Sequence, residues 1–286
     1  EKDMVLEKLD NKRLRFCSPL DLAKNVGNQK IVDLLISYNA LPSLHAAIVT
    51  KDLRGVSYHL FSKESPYFNN LNFRAEFKNC TPLHLASAYG NYQLCNVLVQ
   101  NGASTDIEDD NGMTPLDLSI IMDYFRVFSI LLLKTNIKCL SKACFIASDL
   151  NRTKYLSALV KLNLDLNYVN ADGDSVLIHL LKRKMDSFVL KLLSTKPKLD
   201  FKDVFGLTIF HYSALVSSKL ISTIPNFNFE SKDNNNVIPL SYALLADNEV
   251  GFQLLKDKSS SELTDSFGMT TVIYSFLSEN SLPINN

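Results

Sequence analysis

The stretch CTPLHLASAYGNYQLCNVLVQNGAS, Cys80–Ser104, brings a histidine, two cysteines and several hydroxyls together. Such groups could supply a thiolate nucleophile with an imidazole base, or thiolate and imidazole ligands for zinc. The wider pattern speaks against both. The five cysteines (17, 80, 95, 139 and 144) include no C-x-x-C pair and follow no framework spacing, so zinc, thioredoxin-type exchange and a disulfide scaffold are not expected. Thiols in a reducing compartment are the simpler expectation. No G-x-S-x-G, H-E-x-x-H, phosphate-binding P-loop or dinucleotide G-x-G-x-x-G occurs. The sequence therefore predicts no catalytic residue, no cofactor and no metal.

Composition narrows the class further. The 286 residues are 46% hydrophobic and 21% charged, as in a folded protein rather than a disordered one. Thirty basic and thirty acidic residues cancel, and nucleic-acid binders usually carry a basic excess. No run approaches the ~18 apolar residues of a membrane span, so no direct membrane insertion is expected. The first ten residues, EKDMVLEKLD, lack the apolar core of a signal peptide. A cytoplasmic location is expected, and the sequons at Asn79 and Asn151 are read as chance matches.

The elements that hold these residues show themselves as a repeat. NCTPLHLAS (79–87) returns as GMTPLDLSI (112–120), and Thr81 lies 33 residues before Thr114. Equivalent marks fall at 18, 42, 81, 114, 142, 175, 208, 238 and 270, giving steps of 24, 39, 33, 28, 33, 33, 30 and 32. Two residues before the mark stand Asn79, Gly112, Gly173, Gly206, Asn236 and Gly268, the residue types that best accept positive φ. Three residues earlier come Glu76, Asp109, Asn170, Asp203, Asp233 and Asp265, polar openers of a tight turn. Thr81 and Pro82 suit the cap and first position of a helix carrying Leu83, Leu85 and Ala86. Gly90 breaks that helix, Leu94, Val97 and Leu98 line a second, and Gly102 ends it. Such short helices must stack on neighbours to bury their faces.

On TPLHLASAYGNYQLCNVLVQNGAS and DDNGMTPLDLS the sequence resembles the ankyrin repeat family. The likeness is strong over 76–134, fair over 18–40 and 165–215, and degenerate elsewhere. It implies an all-α, mainly helical fold over one array, 1–286. That array would be a solenoid of about eight to nine stacked helix-turn-helix units with short β-hairpin fingers. The 24- and 28-residue steps leave little room for fingers, residues 62–77 form an insertion, and Pro225 shortens one second helix. Both ends look truncated.

The resemblance also assigns roles. His45, His84 and His211 stand three residues after a mark, where the family's histidine caps and links repeats; His59 and His179 have no such motif. Cys95 should be core, whereas Cys80 and Cys17 precede marks and should be accessible. The family's usual task is binding another protein through a concave groove of finger tips and first helices. The expected contacts are Tyr89, Met113, Ile121 and Met122, with the tips Phe77, Phe205 and Phe267. Leu207, just before a mark, should face the same groove. Lys182 and Arg183, followed by Lys184, point to a partner with an acidic and apolar segment. The rival reading is a regulatory array attached to a catalytic domain, such as a signalling or membrane-trafficking enzyme, outside this segment.

Overall fold

The computed structural model describes residues 19–37, 43–49, 52–65, 70–74, 79–195, 197, 199, 201–216, 218–260 and 262–277. The chain divides into two compact units, Glu1–Cys139 and Leu140–Asn286. In the first, four helix pairs follow one another. These are α1 (Pro19–Val26) with α2 (Gln29–Ser37), and α3 (Leu44–Val49) with α4 (Leu53–Phe61). Then come α5 (Pro82–Ala88) with α6 (Tyr92–Gln100), and α7 (Pro115–Ile121) with α8 (Phe125–Leu132). First helices pack on first helices, α3 on α5 on α7, and second on second, α6 on α8. The core between them holds Leu83, Ala86, Leu94, Cys95, Leu98, Leu116, Ile120, Val127, Phe128 and Leu131, all buried. Leu85, assigned to the core by periodicity, is only half-buried.

The second unit repeats the scheme. It follows α9 (Ile137–Asp149) with α10 (Thr153–Leu159), α11 (Val176–Lys182) with α12 (Asp186–Leu193), and α13 (Ile209–Val216) with α14 (Ser218–Thr223). α15 (Pro239–Leu245) pairs with α16 (Glu249–Leu255), and α17 (Thr271–Leu277) is a further first helix. Here α11, α13, α15 and α17 stack in order, as do α12, α14 and α16. α14 has six residues and stops before Pro225, whose ring cannot continue a helix.

The 28-residue step has a structural cause. α9 runs 13 residues and begins five before its mark, so Lys142 lies inside the helix rather than at its cap. Helix replaces the finger there, and the Asn136 side chain accepts the Cys139 N–H at 2.8 Å to start it. Among the described residues the fingers are turns, not hairpins. Their only β pairing is a single bridge in each of two repeats, Val169 with Ser175 and Thr264 with Thr270. A turn closed by side-chain bonds needs no ladder, and these are so closed. Oδ1 of Asp109 accepts the N–H groups of Asn111 and Met113 at 2.9 and 2.8 Å. Asn170, Asp203, Asp233 and Asp265 do the same in their own repeats. All six Gly and Asn residues two before the mark have positive φ, from 49° at Asn79 to 80° at Gly206. Of the 62–77 insertion, residues 66–69 and 75–77 lie outside the described residues.

Candidate functional site

The histidine and cysteines that open the question of chemistry are structural. Thr81 caps α5, and its N–H donates to His84 Nδ1 at 3.1 Å while its hydroxyl lies 2.7 Å from the same nitrogen. That leaves Nε2 to donate to the Met113 carbonyl of the next repeat at 3.0 Å. His211 repeats the arrangement with Thr208 and the Val237 carbonyl, at 3.0 and 3.1 Å. Burial pushes both imidazoles below their ordinary pKa, against the pull of those carbonyls and of Asp109 and Asp233. In the fourth repeat Asp117 takes the capping part, accepting the Thr114 N–H at 2.9 Å, but a carboxylate cannot donate onward as His84 does. The side chain of His45 lies outside the described residues.

Cys95 is buried and its thiol is pushed up to about 12 by burial, as is that of Cys144. Neither is a nucleophile at neutral pH. Cys80, expected to be accessible, is buried as well; Cys17 lies outside the described residues. Among the described residues no group of three His, Cys, Asp or Glu side chains is placed to hold a metal ion.

Two of the exposed apolar side chains stand where consecutive first helices end. Tyr89 is the C-cap of α5 and Met122 the C-cap of α7, equivalent positions 33 residues apart with ψ of 0° at each. Both are about half exposed, 51% and 50%. Met113 and Ile121 beside them are half-buried. Next to Tyr89, Gly90 adopts φ +69°, and a Cβ there would lie 2.7 Å from the Tyr124 ring. The C-cap is thus pinned by packing on the following helix pair. Tyr89, Met113, Ile121 and Met122 all belong to the first unit; Phe77 lies outside the described residues.

The second unit carries the remaining candidates. Phe205 and Phe267 are 65% and 74% exposed at finger tips. Their turns are tied to the intervening one: the Asn234 N–H donates to the Phe205 carbonyl at 3.1 Å, and the Ser266 N–H to the Asn235 carbonyl at 2.8 Å. Leu207, expected on the groove, is buried instead. Lys182 and Arg183 are already engaged. Lys182 Nζ binds both oxygens of Asp174 at 2.6 and 2.8 Å and lies 5.2 Å from the Tyr212 ring centre. Arg183 pairs with Asp149, which also accepts from His179 Nε2 at 3.0 Å.

That last bond gives His179 a partner the sequence did not disclose, and His59 likewise meets the Ser65 hydroxyl at 3.0 Å. A larger feature was also missed. The hydroxyls of Tyr212, Tyr242 and Tyr274 donate to the outer oxygens of Asp203, Asp233 and Asp265 at 2.7, 2.8 and 2.7 Å. Each pair clasps a first helix to the turn that precedes it. Burial and the adjoining carboxylate push all three phenols well above their ordinary value. The signal was present as an acid nine residues before a tyrosine, three times in phase.

Stacked pairs of short helices, capped alike and joined by side-chain-closed turns, define a helical-repeat protein of the solenoid class. Residues 44–143 are ankyrin repeats, matching that family's model, "Ankyrin repeats (3 copies)". Among curated relatives, the mitochondrial disaggregase of Bos taurus is 33% identical over 96 residues, 32% of this chain and 14% of that protein. The palmitoyltransferase AKR1 of Lachancea kluyveri is 25% identical over 236 residues, 79% of this chain and 28% of that protein. The chain thus spans less than a third of either relative. The crystal structure of the ankyrin repeat domain of Bcl-3 superposes with a TM-score of 0.52 at 18% identity, covering 81% of this chain and 92% of that one, which is a likeness of fold. Ankyrin repeats generally mediate protein–protein interaction. Among the described residues no helix is long and apolar enough to cross a membrane.

Proposed function

We propose that this chain is a non-catalytic, cytoplasmic protein-interaction module that needs no cofactor and binds a partner protein on the face where its first helices and fingers end. The observation that carries the reading is the pair Tyr89 and Met122, half exposed at equivalent C-caps of consecutive repeats. Met113 and Ile121 complete an apolar, adaptable patch of the kind interfaces favour. The caps stand on packed helices, so little order must be gained on binding. In the second unit Phe205 and Phe267 offer anchors of the same type, with Lys182 and Arg183 nearby in the repeat order.

A Tyr89→Ala/Met122→Ala double variant tests the reading. It should keep its far-UV circular dichroism while partner affinity, measured by titration with the purified captured protein, drops by roughly 2 kcal/mol or more. Undiminished affinity would move the site to the finger tips of the second unit. A second reading, a regulatory array beside a catalytic domain elsewhere in a longer chain, is favoured by the match to a palmitoyltransferase over 79% of this chain.

A further inference from the structure

The second helix of the second repeat leaves space beside it. At equivalent places, 13 residues after their marks, α6 and α8 carry Leu94 and Val127, both buried. In α4 the same place holds Gly55, where a Cβ would lie 3.1 Å from that of Ala47. The glycine lets α4 seat close on α3. α6 packs closely on α8 but not on α4, and between α4 and α6 lies a pocket of about 180 Å³. α4 lines it with one stripe at helical spacing: Leu53, Val56, Ser57, Leu60 and Phe61. Its floor is buried and aliphatic, with Ile48 from α3 and Leu94 from α6 beside Val56 and Leu60. Leu53 and Phe61, 75% and 62% exposed, stand at the mouth.

No charged residue lines the pocket. Three polar side chains do: Ser57, Asn91 and Gln93. Asn91 Oδ1 already accepts the Leu94 N–H at 3.1 Å. Among the described residues, Asn91 Nδ2, the Ser57 hydroxyl and the Gln93 amide have no partner.

We infer that this pocket binds a small neutral molecule, an aromatic ring or branched alkyl group between benzene and indole in size, carrying one hydrogen-bonding group toward Ser57, Asn91 and Gln93. Volume sets the size: an enclosed cavity of about 150 Å³ with aliphatic walls takes up benzene. Such walls offer a ring dispersion contacts on every side, and a few polar groups in an apolar pocket fix a ligand's orientation. A carboxylate or ammonium entering here would shed its water with no opposite charge to meet. None of Tyr89, Met113, Ile121 and Met122 lines the pocket, so its ligand and a partner protein need not compete.

Benzene, phenol and indole test this as probes, with benzoate and benzylamine as charged controls of matched size. Each is titrated into the whole chain and followed by amide NMR spectra and by melting temperature, which a ligand of the folded state raises. The neutral probes should shift the amide signals of α4 and α6. Phenol should bind about threefold tighter than benzene, and the charged controls about tenfold more weakly or less. Ser57→Phe, which brings a ring to the pocket from an exposed position, should keep the circular dichroism spectrum and weaken phenol about tenfold. Val97→Phe fills the pocket from α6 as a second variant, and the shifts locate the probe in the unaltered chain whether or not either variant folds. No neutral probe binding up to its solubility, shifts that avoid α4 and α6, or charged controls binding as well as phenol each overturn the inference. So does undiminished binding to folded Ser57→Phe. Phenol no tighter than benzene strikes the hydrogen-bonding group from the assigned ligand.

Discussion

Neutral His84 makes bonds that its cation cannot. Nδ1 must accept from the Thr81 N–H while Nε2 donates to the Met113 carbonyl, so a second ring proton would point a donor at a donor. The same holds for His211. A histidine held below its ordinary value of 6.5 binds fewer protons folded than unfolded. Its contribution is therefore whole above pH 6.5 and is lost as pH falls below that value, by up to about 1.4 kcal/mol per pH unit for each ring. The melting temperature should decline on acidification from pH 7 to 5. His84→Gln/His211→Gln should melt lower at pH 7 yet show a flatter dependence; an unchanged slope would mean the carboxylates, not these rings, govern it. Asp203 sets a second case. Its buried oxygen accepts the Tyr212 hydroxyl, so Tyr212→Phe leaves a charged acceptor one bond short and should cost about 1–3 kcal/mol in urea denaturation.

At the level of the helix pair, two glycines separate backbone from packing. Gly90 and Gly102 both hold left-handed φ, +69° and +93°, but only Gly90 has a ring against it, whereas nothing lies within 4 Å of a Cβ at Gly102. Gly102→Ala should cost about 1–2 kcal/mol for the backbone alone. Gly90→Ala adds overpacking against Tyr124 and should reach about 2–4 kcal/mol; equal losses would show that Tyr124 gives way. Core and face should separate as clearly. Leu98→Ala, emptying a fully buried site, should cost about 2–5 kcal/mol. Tyr89→Ala, half exposed, should cost under about 1 kcal/mol in the same denaturation.

For the whole molecule, what the sequence discloses is whatever repeats. The period near 33 leads to the helix pairs and to the left-handed turns at Gly and Asn, because each is a local bond pattern copied in phase; the linking role of His84 and His211 comes from the resemblance to the ankyrin family. Hidden features depend on what lies across a repeat. Arg183 meets Asp149 34 residues away, Cys80 and Leu207 are buried, and Lys142 falls inside a helix because the finger before it is missing. Hairpins were expected where side-chain-closed turns suffice.

The three tyrosine–aspartate clasps have an optical consequence. The chain has no tryptophan and eleven tyrosines, so its near-ultraviolet absorbance is tyrosine's. The clasped phenols lie in the unit formed by Leu140–Asn286, and their raised pKa means that their stabilisation is present below pH 10 and fades as pH climbs beyond it. In a rapid alkaline jump, exposed phenols should ionise within the mixing time, while Tyr212, Tyr242 and Tyr274 stay protonated until their unit opens. Tyrosinate absorbance should therefore rise in two phases, the slow one timing the opening of that unit. Replacing the three clasped tyrosines by phenylalanine should cut the amplitude of the slow phase to the share owed to Tyr155, buried in the same unit, and leave the fast one intact.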